Sequence, residues 1–459
     1  MSHVRDHAVV VGASMAGLLT TRVLADHYDR VTIVERDLLP DGPGPRRGVP
    51  QGRHAHQLLG RGAQVLEDLF SGILDEFVQA GAPALKPHQH DFSNMYFDLG
   101  GHVLTRHQGM DHWQPKHQPM YFPTRLLLEG TVRARVQALP NVALLDGHAF
   151  LEPTAADGGR VTGVAVRNLA DGTEDAIGAE LVVDAGGKGS RRIPAFLDRH
   201  GLEQPPEDEV VVHLMYSSQL LRPTQPLSEL LVIIGAKPGR PTGLFLLAQE
   251  NGTAMLTVLG MAGIEPPGEL PEMIDFASDF APPQVIESLR SAIPIGDVAR
   301  YKLPACTWRR YDKLRRFPEG LLVAGDAMCT LNPVYGQGMA VAALQAEALR
   351  SCLEQGDRNL ARRFFKATAK PIGAAWEFAS GADRALPEIE GRPSAQQRLG
   401  NAWGERILTA AETDPEVAIT CLDVNGFTKG PSAFFHPRFV TRVVRANRRR
   451  TRTAETAAP

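Results

Sequence analysis

The segment from His7 to Glu35 constrains the chain more than any other. His7 to Val11 (HAVVV) is a short apolar run of the kind that forms a buried parallel strand. It leads into Gly12-Ala13-Ser14-Met15-Ala16-Gly17, after which Leu18 to Leu24 carry apolar residues at helical spacing. A second apolar run, Val31 to Val34, ends in Glu35 and Arg36. Strand, GxSxxG turn, helix, strand and terminal acid make a β-α-β unit whose first turn suits a dinucleotide. Gly12 permits the tight turn, and Gly17 lets helix and strand pack closely. Ser14 replaces the middle glycine of the usual pattern but is small enough to let a pyrophosphate approach. The helix start offers that pyrophosphate free backbone N–H groups and a positive dipole end. Glu35, 23 residues beyond Gly12, can accept hydrogen bonds from ribose hydroxyls.

Two later segments extend the pattern. Leu181 to Ala185 (LVVDA) reads as another buried strand, placing Asp184 at its end, before Gly186-Gly187-Lys188-Gly189-Ser190-Arg191. Gly320 to Asp326 (GLLVAGD) reads as a strand ending in Gly-Asp, followed by Asn332-Pro333-Val334-Tyr335-Gly336-Gln337-Gly338-Met339 and a long helix from Ala340 to Leu353. A carboxylate at Asp326 stands at the carboxyl edge of the sheet, where open α/β folds bind ligands. Pro333, Gly336 and Gly338 let backbone come close to a planar ring, with Met339 packing in the same turn. The start of the following helix stabilises negative charge.

With these three motifs in order, the sequence resembles the flavoprotein monooxygenases related to p-hydroxybenzoate hydroxylase and squalene epoxidase over most of residues 5–355. The stretches RRGVPQGRHAH (Arg46 to His56) and NPVYGQGM (Asn332 to Met339) are similar to those of bacterial olefin epoxidases of polyether and polyketide biosynthesis. The resemblance implies FAD, contacted by Gly12, Ser14, Met15, Ala16, Gly17, Glu35, Arg36, Asp184, Asp326, Pro333, Gly336, Gly338 and Met339. It also places a contact at the start of the helix opened by Arg125, whose N-cap is expected to be Thr124. Arg53, and beside it Arg47, flank the loop after the first unit and can meet the pyrophosphate or ribityl chain.

Reduced flavin in such enzymes reacts with O2 to give an electrophilic hydroperoxide, which an alkene takes up without a strong side-chain base. Phenol hydroxylation gains from a base. The sequence singles out none, and no catalytic residue is assigned. The substrate expected is a small lipophilic natural-product intermediate. No second GxGxxG is present, so NAD(P)H either docks transiently beside FAD or acts through a partner flavin reductase. A halogenase should carry a WxWxIP motif, whereas Trp113 and Trp308 are isolated. A double-bond reductase of the geranylgeranyl type, or a flavin-binding sensor, would share the fold.

The expected architecture is α/β. A Rossmann-like FAD-binding domain (1–85, 120–205 and 300–355) interleaves with an antiparallel substrate-binding sheet (86–119 and 206–299), followed by a C-terminal helical region (356–459). The strand-like runs Val210 to Tyr216, Leu230 to Ile234, Leu244 to Leu247 and Ala254 to Leu259 belong to that sheet. A net charge of −3 gives no steering toward nucleic acid. Four separated cysteines fit a reducing cytoplasm, and the first strand leaves no room for a signal peptide after Met1. No apolar run approaches the roughly 20 residues that span a bilayer. His88, His90, His102, His107, His112 and His117 lack the cysteine or HExxH partners of a metal site, so no metal is expected. Phe439, Val440, Val443 and Val444 stand at helical spacing among Arg438, Arg442 and Arg445. That is the pattern of a final packed helix with solvated arginines, or alternatively of a basic amphipathic helix touching a membrane. The arginines from Arg445 to Arg452 read as a solvated, frayed tail.

Overall fold

The computed structural model describes residues 5–85, 94–105, 120–156 and 159–457, with side chains through residue 450. Its first layer is a five-stranded, all-parallel sheet in the order Leu321–Val323, Leu181–Asp184, Arg5–Val11, Tyr28–Val34, Val142–Leu145. The central strand is fully buried at Ala8, Val9 and Val10 because helices cover both faces, which is why it reads as an unbroken apolar run. Helix Met15–Ala25 packs beside helix Gly338–Glu354, and helix Arg125–Gln137 also contacts it. A small antiparallel sheet (His148–Ala155, Val161–Asn168, Glu174–Gly178) flanks this layer.

The second layer is an eight-stranded sheet. Its order is Cys329–Thr330, Ile293–Arg309, Glu207–Arg222, Thr253–Gly260, Thr242–Gln249, Leu231–Ile234, Met95–Leu99, His102–Val103. The pairs are antiparallel except Leu231–Ile234 with Met95–Leu99, which is parallel. The protein is thus a mixed α/β molecule with a Rossmann-like sheet, a separate antiparallel-type sheet and C-terminal helices. Strand Glu207–Arg222 runs well past the apolar stretch that marks it in the sequence. Ser217, Ser218 and Gln219 continue it as buried polar residues, and side-chain hydrogen bonds of Ser218 and Gln219 offset the cost of burying them.

Strand alternation gives this sheet two dissimilar faces. Leu221, Val232, Leu244, Leu256 and Val258 point to helices Leu270–Ser278 and Pro283–Ser291. On the other face Met95, Phe97, Leu231 and Leu247 meet Phe122 and the C-terminal helices, through Ile407, Ala410, Val417, Phe439 and Val443.

The final packed helix is present, and the arginine run continues it rather than fraying, with Arg445, Arg448, Arg449 and Arg450 exposed to solvent as expected. The run lies on helix Pro437–Ala457, whose Phe439, Val443 and Ala446 recur at i, i+4 and i+7 and are buried. Arg450 Nη1 donates to Glu412 at 2.7 Å, anchoring the run against the preceding helices. Of the histidines, His102 sits between Glu412 (2.6 Å) and Glu405 (2.8 Å), while His88, His90, His107, His112 and His117 lie outside the described residues. Among the described residues no group of three or more His, Cys, Asp or Glu is arranged to hold a metal, and no helix is long and apolar enough to cross a membrane.

Candidate functional site

The carboxyl ends of three parallel strands converge on one edge. Gly12 N–H donates to Val34 O (2.8 Å), Ala185 N–H to Val11 O (2.9 Å), and Ala324 N–H to Asp184 O (2.8 Å). The GxSxxG turn, Asp184 and the Gly325-Asp326 turn are therefore neighbours. A Cβ on Gly17 would stand 1.8 Å from Gly12 O, so only glycine fits there. A Cβ on Gly325 would meet the Ala16 methyl at 2.6 Å, which shows how tightly the Gly-Asp turn abuts the first helix. Ser14 is the N-cap of that helix, yet its hydroxyl makes no capping bond and no acidic residue stands in the first turn. The intrahelical ladder opens with Leu18 N–H to Ser14 O, leaving the earlier N–H groups and their dipole for an anion.

Beside this turn lies a buried cluster of charges. Glu35 is 5% exposed and accepts from Ala13 N–H (2.8 Å) and Asp37 N–H (3.0 Å), bracing the turn from the second strand. Arg46 bridges Glu35 (3.1 Å), Asp37 (3.3 Å) and Glu129 (2.9 Å), while its Nη2 is buried with no hydrogen-bond partner. Arg125, also buried, donates from Nη2 to Ser14 Oγ (2.9 Å) and Glu129 Oε2 (2.9 Å). Burial pushes the Glu129 carboxyl up, but Arg125 and Arg46 outweigh it and hold the group below its usual range. Helix Arg125–Gln137 starts where it does because Thr124 accepts from Leu127 N–H (3.0 Å), the cap expected from the sequence. Thr124 N–H in turn donates to Glu250 (2.9 Å), tying this helix start to the end of the second sheet.

The other two motifs differ from each other. Asp184 is 1% exposed and folds its own loop, accepting from Gly186 N–H (2.9 Å) and Ser190 Oγ (2.6 Å). Asp326 is partly exposed, and among the described residues its carboxylate accepts no hydrogen bond. Burial raises its pKa, opposed by Arg125 and Lys188, so it stands within electrostatic reach of both cations. In the following loop Gly336 has φ +68°, and nothing lies within 4 Å of a Cβ placed there or at Gly338. Met339 packs against the main core, and Pro333 is exposed. Asn332 Nδ2 (2.9 Å) and Tyr335 OH (2.8 Å) both donate to Asp383, which anchors this loop to helix Leu360–Asp383. Burial lifts Asp383 to about 7 despite those two bonds.

Gly12, Ser14, Met15, Ala16, Gly17, Glu35, Arg125 and Asp326 thus come together on one edge. Arg36, Arg47 and Arg53 are exposed, and among the described residues Arg53 donates a hydrogen bond to Asp297 O at 3.4 Å alone. Sequence reasoning did not single out Arg46, Glu129, His54 or Asp383. Arg46 and His54 stand inside the RRGVPQGRHAH stretch, the only signal that pointed to them.

These features fit FAD. An uncapped helix N-terminus, a buried guanidinium nitrogen without a partner, an unengaged carboxylate and glycines bordered by open space are what a pyrophosphate, a ribityl chain and a flat ring require. Residues 6–356 match the family described as FAD binding domain. The chain is 39% identical over 424 residues to Protein Rv3254 of Mycobacterium tuberculosis, covering 90% of this chain and 88% of that protein. It is 26% identical over 386 residues to the kynurenine 3-monooxygenase of Salinispora tropica, covering 81% and 78%. The solved structure of the flavin-dependent brominase Bmp2 superposes with a TM-score of 0.64 at 16% identity, covering 93% of this chain and 97% of that one, a likeness of fold. The chain belongs to the FAD binding domain family, and it is an FAD-dependent enzyme of the flavin monooxygenase superfamily.

Proposed function

We propose that this enzyme inserts one atom of O2 into a lipophilic natural-product intermediate, and that the reaction is epoxidation of an alkene. The observation that carries this reading is the chemistry of the second sheet's inner face. One cross-strand row is Leu220, Met255, Leu247, Leu231 and Met95; the next runs from Ser218 and Thr257 into Phe245, Ile233 and Phe97. Leu220, Ile233 and Phe245 keep partial exposure in the middle of a covered sheet, which leaves room for an apolar guest. Each methylene such a guest buries adds about 0.8 kcal/mol of binding.

FAD, when bound, supplies electron transfer and the activation of O2. Its electrons come from NAD(P)H, the donor typical of the family, directly or through a partner flavin reductase. The chain's own residues bind and shield. The Met15–Ala25 helix start with Arg46 and Arg125 neutralises the pyrophosphate, Glu35 takes the ribose, and Asp326 accepts from the ribityl hydroxyls. The loop holding Pro333, Gly336, Gly338 and Met339 would border the flavin ring, and Asp184 shapes the neighbouring turn. The apolar face excludes water and orients the substrate.

A second reading, hydroxylation of an aromatic ring, is favoured by the identity shared with kynurenine 3-monooxygenase. Turnover under isotopically labelled O2 separates the two. One labelled oxygen in a three-membered ring is expected; a labelled phenolic hydroxyl with olefins untouched would move the protein to the aromatic hydroxylases. A halide-dependent product would instead favour halogenation, and alkene saturation without oxygen uptake would favour a reductase.

A further inference from the structure

The inner face of the second sheet is not uniformly apolar. At the end nearest Asp326 it carries a corner of neutral polar groups. Tyr216 and Tyr301 are register partners on adjacent strands, their rings 5.1 Å apart. Two residues along the same strand face, Ser218 pairs with Thr257 and their hydroxyls lie 2.6 Å apart. His54 fills the angle between them. It is 3% exposed, stands edge-on to Tyr216 at 4.6 Å, and binds Ser218 Oγ through Nδ1 at 2.8 Å. Ala55 N–H donates to Thr257 Oγ1 at 3.4 Å, closing the chain on the loop that bears His54. Lys188, from the loop after Asp184, donates to Tyr301 OH at 2.8 Å and completes the wall.

The other ring nitrogen, Nε2, has no hydrogen-bond partner among the described residues and is not among their fully buried orphan atoms. We propose that His54 Nε2 is the polar anchor of the substrate pocket and binds a hydroxyl or carbonyl oxygen on an otherwise apolar substrate. The proposal rests on the reading that this face and the flavin enclose the oxygenation site.

The hydroxyl chain explains why one group serves both kinds of oxygen. With Nδ1–H donating to Ser218 and Ser218 donating to Thr257, Nε2 carries the lone pair and accepts from a substrate hydroxyl. With both hydroxyls reversed, Ser218 donates to Nδ1, and Nε2–H donates to a substrate carbonyl. Burial, helped by His56 and Arg53, pushes His54 down to about 3, so the ring stays neutral and acts by hydrogen bonding rather than by taking a proton. The anchored oxygen sits at the Asp326 end of the face and the apolar body runs along the Phe245–Phe97 row. The oxygen-bearing carbon is therefore close to the carbon that is oxidised, as in an allylic alcohol.

Calorimetric titration of the oxidised holoenzyme with geraniol, and with 2,6-dimethylocta-2,6-diene, its hydroxyl-free counterpart, tests this. The wild type should bind geraniol roughly tenfold more tightly, the value of one hydrogen bond in a buried site. His54→Leu should erase the preference by weakening geraniol alone, and His54→Gln should restore part of it. FAD content, read from absorbance, confirms that each variant is folded. Should His54→Leu lose FAD, Ser218→Ala keeps the ring but removes its tether and must still reduce the preference. A preference unchanged in these variants, or none in the wild type, overturns the assignment of His54 while leaving the pocket. Binding of neither probe overturns the pocket itself, and with it the anchor.

Discussion

Replacing Arg46 with Met removes the one cation that joins Glu35, Asp37 and Glu129. The side chains involved are only 4%, 6%, 10% and 7% exposed, so the pairs are largely shielded from water. Glu129 keeps Arg125 at 2.9 Å. Glu35 and Asp37 keep only backbone N–H donors, so two carboxylates are left buried without a cation. Breaking a buried pair by deleting one partner costs about 3–5 kcal/mol, and the retained N–H donors argue for the lower end, about 3. Urea unfolding of the apoprotein measures this directly, without contribution from bound FAD. The pH dependence supplies a second reading. A carboxyl held low in the folded state contributes stability above the ordinary carboxylate range and loses it as pH falls through its folded value. With Arg46 gone, Glu129 should titrate at higher pH and acid unfolding should begin earlier. The double variant Arg46→Met/Asp37→Asn should recover part of the loss. A loss under about 1 kcal/mol, the range of exposed ion pairs, would refute the argument that this cluster is dry.

Asp326→Ala should weaken FAD binding by about 1–3 kcal/mol, since it deletes an acceptor that no described protein group uses; equilibrium dialysis of FAD checks this, and unchanged affinity removes Asp326 from the cofactor site. Asp383 titrates near 7 in the folded protein against an ordinary 3.8, so between about pH 4 and 7 the folded state binds the extra proton and stability falls as pH rises. Asp383→Asn should flatten that slope in urea unfolding while keeping an acceptor for Tyr335 and Asn332; an unaltered slope would mean that Asp383 is ionised throughout.

The first β-α-β unit was legible because everything that specifies it is local. The run His7 to Val11, the two glycines and Glu35 lie within one short stretch, and their spacing is the structure. Arg46 and Glu129 are 83 residues apart, and His54 and Ser218 are 164 apart, so no window of sequence shows either pair. The length of strand Glu207–Arg222 was hidden for a related reason. Ser217, Ser218 and Gln219 break the apolar pattern, and only the packed sheet and the bonds made by Ser218 and Gln219 reveal that they are interior. The C-terminal helix was legible from Phe439 and Val443 at helical spacing, but how far it runs was not, because the arginines that follow carry no apolar signal and only Ala446 continues the buried stripe.

Only Ala327 and Met328 separate Asp326 from Cys329, which already hydrogen-bonds into the second sheet beside Trp308. The same chain thus leaves the layer of the parallel sheet and enters the eight-stranded sheet with no long loop in between, and Arg309 clasps the step by donating to Ala327 O at 2.9 Å. In mechanical terms this is a rigid weld rather than a hinge. A shear of the long Ile293–Arg309 strand along its axis would drag the Asp326 turn with it, so the alignment of the two sheet layers is set by backbone registration, and on the proposed function so is that of cofactor and substrate. Changes that move the sheet edge, such as a bulge inserted between Thr307 and Arg309, should therefore disturb cofactor seating as much as substrate binding.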